Sequence, residues 1–344
     1  MPTAIRVLQS FGVPRATTNP YIAMLARELS STPGITHLPF SWREALRGSY
    51  DLLHVHWPDA LLAAEGPVTR LGKRVAFGLL LLRLRKRQTP VVWTVHNLSA
   101  HDGPWIDRAL VRQMERMVTV RIRINPATEL PEGAQSELIP HGHYRDWFAH
   151  LARRTPVTGR IGYVGLIRAY KGVDDLVTAF LAAHRVEKDL SLVLAGQPRG
   201  EAIAEGLRRQ VQADPAIRLE LAYVPDERLV EIVTESEIVA LPYRRMHNSG
   251  AALAVLSLDR PVLVPRTPSN EALAREVGPG WVHFFDGELD AEALLAAVRA
   301  VRQNAPGSRP MLDTRDWDET GADHLRAYHH ALQLAVDQSL EMAR

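Results

Sequence analysis

The segment IGYVGLIRAYKGVDDLVTAF, residues 161–180, constrains the fold more than any other part of the chain. Ile161–Val164 is a short apolar run typical of a buried strand, and a glycine interrupts it. Apolar residues then recur at helical spacing after Gly172. The pattern predicts a strand, a polar turn and a helix, with Arg168 and Lys171 in the turn.

Two cations at this position indicate an anionic ligand. Open α/β sheets bind ligands at the carboxyl ends of their strands. A planar guanidinium (Arg168) and a mobile ammonium (Lys171) together suit a diphosphate, which has several oxygens to satisfy. For this turn taken alone, the alternative is a surface turn with ordinary solvated charges.

A second region further along the chain repeats the arrangement. It is predicted to form a strand, a polar turn, a helix and another strand, at Glu237–Leu241, Tyr243–Gly250, Ala251–Leu258 and Val262–Val264. Asn248, Ser249 and Gly250 lie where the helix begins, so its free N–H groups and positive dipole end would face an anion. A capping serine and a packing glycine without a ligand are the alternative. Two such turns in one half of the chain favour a phosphate site.

The N-terminal half has the same alternation of strands and helices. Its strands are predicted at Ala4–Gln9, Asp51–His56 and Pro90–Val95. A helix starts at Pro20, where proline is tolerated, and runs through Leu29. Gly12 lies in the turn after the first strand and would let the backbone approach a ligand closely.

These segments resemble the nucleotide-sugar glycosyltransferases of the GT-B fold, the large group that includes the bacterial family 4 retaining enzymes. The matching pieces are GYVGLIRAYKGVDDLVTAF, LSLVLAG at 190–196, YVPDERL at 223–229, IVALPY at 238–243 and RPVLVP at 260–265. The resemblance covers nearly the whole chain. It implies an α/β fold of two Rossmann-like domains facing across a cleft, with a C-terminal helix that crosses back to the first domain. The expected limits are 1–152 for the acceptor-side domain, 153–316 for the donor-binding domain and 317–344 for the helix.

The resemblance also implies a function and site residues. It implies a hexosyltransferase that uses a GDP- or UDP-sugar as donor and a glycan, glycolipid or small molecule as acceptor, with no cofactor and no catalytic metal. Arg168 and Lys171 would hold the donor diphosphate. The remaining implied donor contacts are His247, Asn248, Ser249 and Gly250 near the phosphates and sugar, and Gln197, Tyr223 and Val224 near the base. His96 matches a histidine that points toward the donor sugar and phosphate in related enzymes.

One departure from the family pattern is clear. Met246 and Ala254 stand where the family has a pair of glutamates eight residues apart. This departure leaves the stereochemical outcome open. A retaining route needs no protein nucleophile, whereas an inverting route needs a base, for which His96 and Asp102 are the candidates. The segments NPY and TVHN, at 19–21 and 94–97, are similar to those of bacterial exopolysaccharide mannosyltransferases.

Two other classes of function stay open at this point. The missing glutamates would also fit a non-catalytic protein that binds nucleotides or sugars and is related to these enzymes. A metal hydrolase is the third reading, because two His-x-His pairs could contribute ligands on one face of a strand. The residues concerned are His54, His56, His96, His101, Asp102, His141 and His143.

Composition limits which partners and which cellular compartment we expect for the protein. With 41 basic and 39 acidic residues, the chain has no overall electrostatic attraction to nucleic acid. There is no cysteine, so disulfides and thiol metal sites are excluded. The N-terminus runs into a strand without a signal-like apolar region, so we expect a cytoplasmic protein.

The run from Pro67 to Gln88 adds a peripheral membrane contact to that expectation. It contains seven Lys or Arg residues, no acid and an apolar block at Leu79–Leu82. It is predicted to be a helix that covers the sheet, with its basic end favoured by the helix dipole. The same run would also suit contact with anionic lipid at the inner membrane face.

Overall fold

The computed structural model describes residues 4–15, 17–96, 104–211, 214–244, 246, 248, 250–304, 306–307 and 309–342. The chain forms two compact units. Unit 1 comprises residues 1–142 and 315–344, and unit 2 comprises residues 143–314. The division after Gly142 falls earlier than the domain limit at 152 predicted from the sequence.

Unit 1 alternates strands and helices. Its strands are β1 (Ile5–Gln9), β2 (Ile35–Leu38), β3 (Leu52–Val55), β4 (Val91–Val95), β5 (Val118–Arg123) and β6 (Ser136–Leu138). Its helices are α1 (Pro20–Ser31), α2 (Trp42–Arg47), α3 (Pro67–Arg87), α4 (Trp105–Glu115) and, from the C-terminal segment, α12 (Thr320–Met342).

The strands of unit 1 form one parallel sheet in the order β2-β1-β3-β4-β5-β6. Strands β3 and β4 are apolar along most of their length and mostly buried, as expected where helices cover both faces of a parallel sheet. The order of the strands reverses between β1 and β3. Loops that follow these two strands therefore flank the switch point, where ligands of open sheets bind.

The C-terminal helix belongs to unit 1. Helix α12 packs on α1 and on strands β4 and β5. Tyr328 is fully buried, and its hydroxyl lies 2.9 Å from His54 Nδ1 and 3.3 Å from Gln9 Nε2. The predicted return of the terminal helix to the first domain is confirmed.

Unit 2 repeats the alternation with its own sheet. Its strands are β7 (Arg160–Val164), β8 (Ser191–Ala195), β9 (Ile217–Glu220), β10 (Ile238–Ala240), β11 (Val262–Pro265) and β12 (Val282–Phe285). Its helices are α5 (Arg145–Phe148), α6 (Val173–Val186), α7 (Glu201–Val211), α8 (Asp226–Glu235), α9 (Gly250–Ser257), α10 (Pro268–Val277) and α11 (Ala291–Gln303).

The sheet of unit 2 is parallel, in the order β12-β11-β10-β7-β8-β9. Its switch point lies between β7 and β10. Gly172 is required there, since its φ is 58° and a Cβ would lie 2.1 Å from the carbonyl oxygen of Pro242. The expected α/β class with two Rossmann-like domains is confirmed.

No helix in the described ranges is both long and apolar enough to cross a bilayer.

Candidate functional site

Four neighbouring strands of unit 2 carry the predicted donor residues at their carboxyl ends. Arg168 and Lys171 follow β7, Gln197 follows β8, Tyr223 and Val224 follow β9, and Asn248 and Gly250 follow β10. Because parallel strands end at the same edge, the fold brings these loops together. His247 and Ser249 lie outside the described residues.

Lys171 spans the switch point. Its ammonium donates to the hydroxyl of Tyr243 at 3.0 Å and lies 4.5 Å from the centroid of the same ring. Tyr243 is buried, so its ring has a fixed position. A cation held over an aromatic face gains electrostatic attraction as well as the hydrogen bond. The flexible lysine stem is thereby restrained at the edge where an anion would bind.

Arg244 joins the loop after β10 to the loop after β7. Its guanidinium donates to the carboxylates of Asp174 and Asp175 at 2.7–2.8 Å, and to the carbonyl of Ala169 at 2.9 Å. Its backbone N–H donates to the carbonyl oxygen of Tyr170. The two aspartates lie in the first turn of α6, where negative charge is favoured by the helix dipole. Arg244 is therefore paired within the protein.

Arg168 lies between the ends of β7 and β8. One nitrogen of its guanidinium donates to the carbonyl oxygen of Ile167 at 3.0 Å and to that of Gln197 at 3.4 Å. Gly196 lets the backbone after β8 lie close to the backbone after β7, because a Cβ at residue 196 would lie 1.8 Å from the carbonyl oxygen of Gly165. The side chain of Arg168 is thus anchored on backbone carbonyls beside Lys171.

The positions of the missing glutamates are occupied by apolar groups. Met246 is buried, and its sulfur lies 3.4 Å from the amide nitrogen of Asn270. Asn270 also donates to the carbonyl oxygen of Pro265. Ala254 lies on α9. The structure thus places a buried thioether, held by an amide, where the family pattern has a carboxylate.

The histidines of unit 1 cluster near the carboxyl ends of β3 and β4. His56 Nδ1 lies 3.1 Å from His96 Nε2. Trp57 stacks on His96 with ring centroids 4.0 Å apart, and Tyr21 meets the same ring edge-on. His54 bonds the hydroxyl of Thr94 at 2.8 Å in addition to Tyr328. Aromatic rings and hydroxyl groups thus surround this cluster.

Burial keeps these histidines neutral. It lowers the pKa of His96 well below the ordinary value, and neighbouring His56 and His141 lower it further. The pKa of His56 and the pKa of His54 are lowered for the same first reason. A neutral imidazole can accept a proton, which is what a general base must do.

The other predicted positions are less informative. Gly12 is exposed, and a Cβ there would meet only ordinary contact distances, so its backbone does not require glycine. Asp102 and His101 lie outside the described residues. In the part of the chain that the structure describes, no group of three or more His, Cys, Asp or Glu side chains forms a metal-binding arrangement.

Sequence reasoning missed three features of these sites: the role of Tyr243, the role of Arg244, and the pairing of His56 with His96. Tyr243 and Arg244 directly follow the predicted strand and Pro242, so their position was readable. Their partners were not, because the contacts join residues 69–75 positions apart in the chain.

Solved structures share the fold of this chain. Anabaena HepE in complex with UDP superposes with a TM-score of 0.61 at 11% identity, covering 99% of this chain and all of the other. Sucrose-phosphate synthase of Thermosynechococcus elongatus gives 0.58 at 15% identity, with 99% and 100% coverage. The two parallel sheets, their strand order and these matches show that the chain has the GT-B fold.

Sequence comparison gives the family. The family model for glycosyl transferases group 1 matches residues 158–304. Two curated relatives from Xanthomonas campestris pv. campestris are each called GDP-mannose:glycolipid 4-beta-D-mannosyltransferase, and they are 42% and 41% identical over 337 residues. The match covers 98% of this chain and 95% of each relative. The chain belongs to the glycosyl transferases group 1 family, and it is a hexosyltransferase that uses a nucleoside diphosphate sugar as donor.

We predict that Lys171→Met lowers kcat/KM for sugar transfer by about a hundredfold or more, since the predicted donor site loses one fixed positive charge beside the leaving phosphate. The exposed Lys188 precedes β8, at the opposite edge of the sheet, and Lys188→Met is the matched control. Steady-state kinetics of both variants make the comparison. Equal kcat/KM values for the two variants would show that Lys171 does not contact the donor.

Because of its buried histidines, we predict that the folded chain loses free energy of unfolding in acid. Burial lowers the pKa of His141 and the pKa of His324 to about 4, against about 6.5 in an unfolded chain. Between these values the unfolded chain binds protons that the folded chain does not, so stability falls as pH falls from about 6.5 to about 4. Each such histidine contributes up to about 1.4 kcal/mol per pH unit.

His324→Leu isolates this effect from that of the carboxylates. We expect the variant to show a shallower fall in the denaturant midpoint between pH 6.5 and pH 4.5, by about one proton. Parallel curves for the variant and the parent would show that His324 binds its proton equally well in the folded and the unfolded chain.

Proposed function

We propose that this enzyme transfers mannose from GDP-mannose to a hydroxyl of a membrane glycolipid and that it inverts the anomeric centre. The observation that carries the proposal is the 42% identity over nearly the whole chain to a relative whose name states this donor, a glycolipid acceptor and a β-linked product. Mannose is α-linked in GDP-mannose, so a β-linked product requires inversion.

The loops at the carboxyl edge of unit 2 supply the donor half of this chemistry. Breaking the anomeric bond leaves negative charge on the β-phosphate of GDP. Lys171, held by Tyr243, and Arg168, held on backbone carbonyls, stabilise that charge without having to reorganise. Residues 247–250 lie nearest the phosphates and sugar in this proposal, and Gln197, Tyr223 and Val224 lie near the base. No catalytic metal and no cofactor are required.

His96 is the proposed base, and Asp102 is the second candidate. Inversion requires one group that removes the proton of the acceptor hydroxyl as it attacks. Burial lowers the pKa of His96, so its imidazole is unprotonated before the acceptor arrives. Its Nε2 lies 3.1 Å from His56 Nδ1.

His56 is proposed to position His96 and to set its tautomer. If His96 carries its proton on Nε2 and donates it to His56 Nδ1, its basic nitrogen is Nδ1. His56 then carries its own proton on Nε2, a buried atom without a partner in the described part of the chain. In this proposal His56 orients His96, as a second side chain orients the catalytic histidine in hydrolases.

The acceptor is carried by a membrane in this proposal. The chain would meet that membrane as a peripheral protein, through the basic segment of residues 67–88 on unit 1.

We expect GDP to raise the melting temperature of the protein more than UDP, ADP or TDP at equal concentration, because only a ligand of the folded state stabilises it. With GDP-mannose and a glycolipid acceptor, NMR of the product should show a β-mannosyl linkage. The reaction should persist in the presence of a chelator.

Three results would contradict this proposal separately. A larger shift with UDP would show that the donor is a UDP-sugar. An α-linked product would show that the enzyme retains the anomeric configuration, and inhibition by a chelator would show that the reaction needs a metal.

We predict that His56→Leu lowers kcat roughly tenfold or more and leaves KM for the donor unchanged, since the base loses its orienting partner. His56→Asn keeps a hydrogen-bond acceptor and should recover part of the rate. His324→Leu, in the same buried cluster, serves as the matched control.

The tautomer itself can be measured without turnover. In ¹⁵N NMR of the ring nitrogens, His96 should be protonated on Nε2 in the parent protein, and His56→Leu should disturb that preference. Protonation of His96 on Nδ1 in the parent would overturn the role of His56, whatever the activity of the variants.

A further inference from the structure

Helix α3 is apolar on two opposite faces. One face carries Phe77, Leu80, Leu81 and Leu84, which are buried in the core of unit 1. This face accounts for the packing of α3 on α2 and α4. It does not account for the remaining large apolar residues of the helix.

The second face is exposed. It carries Val68, Leu71, Val75, Leu79 and Leu82, whose exposed fractions lie between 50% and 83%. Their spacing is three, four, four and three residues, which at 100° per residue places them within an arc of about 80°. The arc lies opposite the buried face. We call these five residues the outer stripe.

A continuous apolar line in water is costly and unusual for a soluble surface. At a rise of 1.5 Å per residue the outer stripe is about 21 Å long from Val68 to Leu82. Single exposed apolar residues need no explanation, but five in register on one helix indicate a surface that is covered by something else.

The charges around the outer stripe indicate the chemical nature of the surface that covers it. The segment 67–88 has seven basic residues and no acidic one. Arg83 and Arg74 are engaged within unit 1, by the carbonyl of Leu46 and by the carboxylate of Asp107. Arg85–Arg87 at the end of the helix are exposed.

An exposed aromatic side chain lies on the neighbouring helix. The ion pair of Arg74 with Asp107 holds the first turn of α4 beside α3. Trp105 begins that turn and is 70% exposed. Indole rings favour the boundary between headgroups and acyl chains.

We propose that α3 lies in the surface of an anionic lipid bilayer, with the outer stripe among the acyl chains and the basic residues among the headgroups. The proposal rests on the proposed function, because a lipid-linked acceptor has to be reached at a membrane. A purely protein partner would bury the stripe equally well, but the uniform positive charge favours a negatively charged surface. The inner face of α3 remains in the core, so docking requires no unfolding.

The test measures sedimentation of the full chain with vesicles. Vesicles of phosphatidylcholine alone are compared with vesicles that also contain phosphatidylglycerol. The stripe variant is Leu71→Gln/Leu79→Gln/Leu82→Gln, and its matched control replaces three exposed apolar residues of unit 2, Val157→Gln/Val186→Gln/Met311→Gln. A charge variant, Arg85→Gln/Lys86→Gln/Arg87→Gln, tests the headgroup contact.

We expect the parent and the control to bind the anionic vesicles. The stripe variant should lose affinity about a hundredfold or more, since three leucines no longer enter the acyl region. The charge variant should lose roughly fivefold per charge on anionic vesicles and should change little on neutral ones. The melting temperatures of the variants should match that of the parent, because exposed positions are being changed.

Unchanged vesicle binding by the stripe variant would overturn the proposal. It would also be overturned if the parent bound no vesicles and instead formed a dimer, in analytical ultracentrifugation, that the stripe variant could not form. Transfer of mannose to a water-soluble analogue of the acceptor separates this result from the proposed function. The stripe variant should keep that activity, whereas failure of the proposed function would leave no transfer in any variant while vesicle binding persisted.

Discussion

The contact between Lys171 and Tyr243 fixes the geometry of the switch point of unit 2. It joins the loop after β7 to the loop after β10, and Arg244 joins the same loops through two carboxylates. An ammonium on a four-carbon stem would otherwise lose rotamer freedom on meeting a ligand. Here that loss is met during folding, so the cation is already in place in the proposed donor site. Arg244 also offsets part of the negative charge of Asp174 and Asp175.

The fold and half of this arrangement could be predicted from local patterns. The run around Arg168 and Lys171 has a strand period, a glycine and a helix period within twenty residues, so the position of both cations follows from neighbours in the chain. Tyr243 and Arg244 could not be assigned in the same way. Their partners lie 72 and 69 residues away, and only the order of the strands brings β10 beside β7.

The contacts of the buried histidines could not be predicted from local patterns. Spacing alone places His54 and His56 on one face of a strand, and a metal site was a reasonable interpretation of that pattern. Spacing does not reveal that the hydroxyls of Thr94 and Tyr328 are hydrogen-bonded to the two ring nitrogens of His54. Tyr328 reaches this place because α12 returns to unit 1 from the end of the chain. Charge and apolarity in residues 67–88 were likewise readable, but only the structure shows that α3 turns one apolar face to the core and another to solvent.

A helix that lies in a lipid surface changes the kinetics that its enzyme obeys. Once the outer stripe is seated, the enzyme and its acceptor share two dimensions, while the sugar nucleotide still arrives from three. The rate then follows the number of acceptor molecules per unit area of bilayer, and adding empty lipid dilutes the substrate at constant bulk concentration. Saturation would accordingly be described by a mole fraction for one substrate and by a molarity for the other.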